Sequence, residues 1–170
     1  MTVKKTRAQS RQEVIEALSL AIRASQNISE AFDETVAAAL GINRTDLRCV
    51  DILQQRGPLT AGQLAEAMHL TSGAITTLVD RLERAGYARR LRDTTDRRRV
   101  LVELTPEAEQ RAMTFYEPLY RGSLRLYEDY SDAQLRAMLD YLQRGREMVE
   151  RELAALEQRL GQDRPTGPVE

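Results

Sequence analysis

"TAGQLAEAMHLTSGAITTLVDRLERAGY", residues 60–87, carries the pattern that decides the fold. Thr60 and Gln63 form a capping box, each side chain placed to satisfy the other's backbone N–H at a helix start. Leu64 and Met68 then share one face of a helix of barely two turns. A turn at His69 and Leu70 leads to a second run, in which Ile75, Leu78, Val79 and Leu82 make an apolar stripe that Gly86 ends. Two short helices joined by a tight turn form a helix-turn-helix. The outward face of the second helix, Thr71, Ser72, Gly73, Thr76 and Thr77, is small and polar. Short hydroxyl side chains hydrogen-bond base edges and let a helix lie deep in a groove about 12 Å wide. Gly73, inside the first turn, costs the helix ~1 kcal/mol relative to alanine. Close approach of another surface accounts for that cost. A well-capped, merely solvated face is the competing reading of these five residues.

Beyond Gly86 the apolar period shortens to two. "YARRLR" (87–92) and "RVLVEL" (99–104) read as strands joined by the hairpin loop "DTTDRR" (93–98). Between 81 and 99 eight arginines face three acids, Glu83, Asp93 and Asp96, in a chain of formal net charge −1. Such one-sided concentration of positive charge is the footprint of a polyanion binder. Arg81 and Arg84 are placed to reach phosphates beside the groove, and Arg90 and Arg92 extend the same basic surface. Guanidinium groups at a hairpin tip, here Arg97, Arg98 and Arg99, suit the negative potential of a narrow minor groove. The alternative is a silent loop whose aspartates simply neutralise its arginines.

Working outward, residues 11–41 form one long amphipathic helix, with Val14, Leu18, Ile22, Ile28, Phe32, Val36 and Leu40 along it and Gly41 at its end. Asn43 caps a shorter helix bearing Leu47, Val50 and Leu53, which Gly57 and Pro58 break. After the strands, Thr105 and Pro106 restart a helix that runs to about 130, and Ser131 with Gln134 caps a last one. Along that helix Leu135, Leu139, Leu142, Arg146, Val149, Leu153, Leu156 and Leu160 follow alternating steps of four and three, a heptad seam. It is too long to be buried within so small a chain, so a second copy is expected. The fold class is thus mainly α with a small β-hairpin wing: a winged helix-turn-helix over 44–104 and a helical dimerisation region from 11–43 and 105–160. Residues 1–10 and 161–170 are expected to be flexible.

Composition narrows the function. A single cysteine, Cys49, excludes an internal disulfide, and with His69 as the one histidine there is neither a zinc ligand set nor a rich choice of catalytic bases. No Gly-rich phosphate loop is present, so no catalytic site, metal or cofactor is expected. No apolar run reaches the ~20 residues of a membrane span, and "MTVKKTRAQS" lacks a signal peptide's apolar core. A cytoplasmic protein without a membrane partner is expected.

From Thr60 to Leu104, with "LTSGAITTLVDRLERAGY", Arg90 and "DRR…VLVELT", the chain resembles the MarR (multiple antibiotic resistance regulator) family of dimeric bacterial transcription factors. The flanking helices match that family in order and length. The resemblance implies that Arg98 enters a minor groove, that Asp96 orients the wing by pairing with a nearby arginine, and that Thr71, Ser72, Gly73, Thr76 and Thr77 contact a major groove. It implies a homodimeric, ligand-responsive repressor binding double-stranded DNA at a pseudo-palindromic operator. Tyr116, Tyr120 and Tyr127 share a helical face that core or dimer packing explains. By the resemblance, Tyr116 and Tyr120 are also candidates for lining a small aromatic effector's site. Some members sense peroxide through a cysteine in the first helix, where this chain has none. Cys49 therefore reads as a small buried hydrophobe, with a redox-sensing regulator as the alternative, and His69 reads as a helix-terminal residue. A winged-helix adaptor that binds protein and not DNA is the rival from another class. It needs an apolar outer face on the second helix of the pair, the opposite of what the sequence carries.

Overall fold

The structure, a computed structural model, describes residues 10–162. Helix α1 (Arg11–Leu40) starts on Ser10, whose hydroxyl accepts from the Glu13 N–H while the Glu13 carboxylate accepts from the Ser10 N–H. Ser10 is thus a helix cap and not part of a flexible end; the remainder of the expected N-terminal tail, and residues 163–170, lie outside the described residues. Gly41, at φ 71°, takes the left-handed conformation that closes α1. The Asn43 side chain accepts from the Asp46 N–H at 2.8 Å and starts α2 (Arg44–Arg56).

The capping box of Thr60 and Gln63 is present and opens α3 (Ala61–Met68). His69 closes that helix at φ 53°, a left-handed position that glycine more often fills. Thr71 caps α4 (Ser72–Arg84) through the Ala74 N–H. Strands β2 (Ala88–Arg92) and β3 (Val100–Leu104) pair antiparallel, with Ala88 opposite Leu104 and Arg92 opposite Val100. A third strand, β1 (Leu59–Thr60), pairs with the other edge of β3, Leu59 opposite Val102. Two residues after a Gly-Pro break are too few to show a period, so the sequence reading missed it. The result is a small sheet of order β1-β3-β2 from which α3 departs directly.

Thr105 caps α5 (Pro106–Tyr127), accepting from the Ala108 N–H. That helix ends three residues before the expected 130, in a turn made by Glu128, Asp129 and Tyr130 N–H groups donating to carbonyls of its last turn. Ser131 and Gln134 cap α6 (Asp132–Gln162), which continues through positions 161 and 162, expected to be flexible.

The chain divides into two compact units, one up to Glu117 and one from Pro118 onward. In the first, the stripe Ile75, Leu78, Val79 and Leu82 is fully buried against Leu64, Met68, Val50 and Leu53, each such side chain contributing about 1.5–3 kcal/mol of burial. Only the last third of α1 joins this core, through Val36, Ala37 and Leu40, while Val14, Leu18 and Ile28 stay exposed. Tyr87 is buried at the root of β2: its hydroxyl donates to the Leu40 carbonyl at 2.6 Å and the Arg111 guanidinium lies 4.9 Å above its ring. In the second unit the heptad seam of α6 is exposed from Leu139 onward, with Leu142 65% and Val149 60% exposed, while Leu135 is half-buried.

Candidate nucleic-acid interface

Helix α4 turns its apolar stripe inward and leaves Thr71, Ser72, Gly73, Thr76 and Thr77 exposed together on the opposite face. The Thr76 hydroxyl donates to the Ser72 carbonyl at 3.0 Å, and the Thr77 hydroxyl to the Gly73 carbonyl at 3.1 Å. With their protons turned back into the helix, these side chains offer outward lone pairs and methyl groups, which fit amino donors and thymine methyls at base edges. A Cβ at Gly73 would meet nothing within 4 Å. No contact inside the chain requires glycine there, and its φ is ordinary, so the cost to the helix has no internal reason.

The arginines divide into two groups. Arg81 forks onto Asp46 of α2, its Nε donating to Oδ2 at 2.8 Å and an Nη to Oδ1 at 2.5 Å. Asp46 is 1% exposed and Arg81 is half-buried, so the pair ties α2 to α4 with its carboxylate inside the fold and its guanidinium at the surface. That hydrogen bond raises the Arg81 pKa further. Arg81, expected at a phosphate, is therefore engaged within the fold. Asp46 itself went unread because an acid in a helix's first turn is commonplace, and nothing in the chain order announces a partner 35 residues away. Arg90 likewise bridges to Asp80 and Glu83 of α4, and its N–H donates to Glu83 as well, which staples β2 to α4. Arg89 pairs across the sheet with Glu103 at 2.6 Å, and the Arg84 Nε donates to the Asp80 carbonyl at 3.1 Å.

At the hairpin tip the pattern differs. Asp93 is the organising acid: its Oδ1 accepts from the Thr95 hydroxyl, the Thr95 N–H and the Asp96 N–H. Chiefly through the Thr95 hydroxyl, with help from those N–H groups and the charge of Arg99 at 3.8 Å, its carboxyl is held below the ordinary aspartate range. Asp96, expected to pair with an arginine side chain, instead accepts from the Arg98 backbone N–H at 3.1 Å, so it shapes the turn through the main chain. The ion pair of the loop is Asp93 with Arg99. Arg92, Arg97 and Arg98 are exposed and have no carboxylate partner among the described residues.

Two other candidates sit elsewhere. The Tyr116 hydroxyl donates to Asp33 at 2.7 Å, and its ring meets Phe32 edge-on. Burial, then Asp33, pushes the phenol well above its ordinary pKa, so it stays protonated. Tyr120 belongs to the second unit and is exposed. Cys49 is fully buried, and burial reinforced by the charge of Asp46 pushes its thiol up to about 12. A thiolate sensor needs the reverse. Among the described residues no group of His, Cys, Asp or Glu could hold a metal ion, and no helix is long and apolar enough to cross a membrane.

A hydroxyl-faced second helix, its partner helix and a basic β-wing define a winged helix-turn-helix protein. Residues 42–100 match the model of the MarR family. YcgE of Bacillus subtilis, an uncharacterized HTH-type transcriptional regulator, is 36% identical over 127 residues, covering 75% of this chain and 82% of that protein. A MarR family protein from Bacillus stearothermophilus superposes with a TM-score of 0.60 at 24% identity, over 84% of this chain and 99% of that one. The S. aureus MepR variant solved bound to an oligodeoxyribonucleotide has a TM-score of 0.52 at 20% identity, over 78% of this chain and 97% of its own. The chain belongs to the MarR family of helix-turn-helix transcriptional regulators, and it is a regulator rather than an enzyme.

Proposed function

We propose that this regulator binds a pseudo-palindromic duplex as a homodimer and represses transcription there. Helix α4 enters a major groove through Thr71, Ser72, Gly73, Thr76 and Thr77, and the wing sets Arg98 into the adjoining minor groove, with Arg92, Arg97 and Arg99 near the backbone. Arg81, Arg90 and Asp96 contribute by holding α4, β2 and the wing turn in place, and Arg84 reaches a flanking phosphate from its tether at Asp80. The observation that carries the reading is the pairing of Gly73, whose missing side chain nothing inside the chain needs, with unpartnered arginines at the wing tip. Surface approach by a polyanion supplies the reason for both.

Dimerisation is supported by the apolar side chains that α6 and the first half of α1 leave in water, among them Leu18, Leu142 and Val149, since exposed apolar faces of this kind mark association surfaces. Twofold symmetry in the protein then asks for twofold symmetry in the operator, with half-site centres about one helical turn apart. Occupying both grooves of a promoter excludes other proteins from it, which makes repression the simplest outcome. Ligand response rests on the family resemblance: an aromatic effector near Tyr116 or Tyr120 would act through its differential affinity for two arrangements of the dimer. Selection of bound sequences from a random duplex library, with the purified protein, tests the reading. Enrichment of an inverted repeat at that spacing is expected. Recovery of unselected sequence, or a monomer by sedimentation, overturns it.

A further inference from the structure

A depression of about 300 Å³ lies between the first turns of α2 and the turn that joins α3 to α4, lined by Arg44, Thr45, Arg48, Met68 and Leu70. Its floor is apolar, with Met68 buried and Leu70 half-buried. Its rim is cationic. Arg44 and Arg48 stand one helical turn apart, the spacing at which side chains share a face and at which like charges repel. Only one of them is compensated: Arg44 pairs with Asp33 at 2.7 Å, and Asp33 also accepts the Tyr116 hydroxyl at 2.7 Å. Arg48 is exposed and has no carboxylate partner among the described residues. The fold therefore fixes one guanidinium in orientation and leaves the second bare beside it, over an apolar floor.

The location narrows what such a pocket takes. Leu70 is covalently next to Thr71, the cap of α4, so the pocket adjoins the end of the helix that carries the exposed hydroxyl face. We propose that it seats a backbone phosphate of the DNA strand bordering the groove that α4 enters. Arg48 supplies the uncompensated charge, the Thr45 hydroxyl a neutral donor, and Arg44, held by Asp33, a second guanidinium in fixed geometry. Leu70, half-buried over the buried Met68, packs against the C–H face of the attached sugar. The inference rests on the DNA-binding reading and extends it, because the wing and the outer face of α4 account for neither arginine.

The test is the salt dependence of binding by Arg48→Ala, Thr45→Val and Arg98→Ala, each compared with wild type on a selected duplex and on an unrelated one. Arg48→Ala is expected to weaken both duplexes by the same factor, about 5- to 10-fold at 0.15 M salt, and to lower the slope of log K against log salt by about 1. Thr45→Val is expected to lose about 2- to 3-fold with the slope unchanged, and neither variant should alter the melting temperature. If Arg48→Ala keeps wild-type affinity and slope while Arg98→Ala loses affinity, the pocket is not a phosphate seat and the DNA reading stands. If wild type binds no duplex, the underlying reading fails instead. A loss on the selected duplex alone also overturns the proposal, since a base contact and not a phosphate contact behaves that way. So does a rise in wild-type melting temperature with inorganic phosphate that Arg48→Ala abolishes while its DNA slope stays that of wild type, the mark of a small-anion site.

Discussion

Arg81, Arg89 and Arg90 stand in the same basic stretch as Arg92, Arg97, Arg98 and Arg99, yet the two groups are held differently. Arg81 and Arg90 are bound to Asp46, Asp80 and Glu83, and Arg89 to Glu103, so their charge is compensated inside the fold. At the tip, Arg99 alone leans on an acid, and Arg92, Arg97 and Arg98 face solvent. Counting charge along a sequence overstates what is available to a partner. The same residue type ties elements together at one end of the hairpin and leaves solvent-facing charge at the other.

Breaking one of these ties should have the largest effect. Arg81→Met strands the buried Asp46 carboxylate; with Arg81 itself half-exposed, the cost is about 3 kcal/mol, seen as a melting temperature lower by roughly 10 °C. The double variant Arg81→Met with Asp46→Leu should recover most of that loss, because it is the stranded carboxylate that is expensive. A wild-type melting curve for Arg81→Met would erase the distinction between the two groups of arginines.

For the solvent-facing end, the proposed DNA contact predicts the reverse profile. Arg98→Ala should reduce affinity for the selected duplex by about 2 kcal/mol, roughly 30-fold, with the melting temperature and the dimer untouched. Equal affinity at physiological salt removes Arg98 from the interface. Arg90→Ala sharpens the comparison from between: a network of exposed pairs is worth about 1 kcal/mol, so a small drop in stability should accompany a loss of DNA affinity milder than that of Arg98→Ala. The smallest effect concerns pH. Because the Asp93 carboxyl titrates lower in the folded wing than in the unfolded chain, its contribution is fully present above the ordinary aspartate pKa of about 3.9 and is lost as pH falls through the lower folded value. Amide exchange over residues 93–99, corrected for its intrinsic pH dependence, should stay level from pH 8 to pH 5 and quicken only in stronger acid. Quickening already near pH 6 would show that Asp93 does not organise the loop.

The helices and both wing strands were readable because their signals are local. Capping boxes at Thr60 and Ser131, the stripe from Ile75 to Leu82 and the change of period after Gly86 each lie within a few residues. What escaped was non-local or carried by the backbone. Strand β1 is two residues recruited by β3 across some 40 positions, and the pair of buried Asp46 with Arg81 exists only once α2 and α4 are packed. In the wing, Asp93 and Asp96 are chemically identical, and which of them meets a guanidinium is decided by the turn. The exposed face of α4 was legible as a surface, since small polar residues opposite an apolar stripe permit no other placement. The half-occupied pair of arginines on α2 was not, because Asp33, which compensates one of them, comes from the preceding helix.

The hydrogen bond from Tyr87 to the last turn of α1 has a mechanical reading. A bond of 2.6 Å between a buried phenol and a carbonyl that ends a 30-residue helix is stiff, shielded from water and placed where the hairpin begins. The end of α1 is thus tied to the first residue before β2, where the hairpin is rooted, and not to its tip.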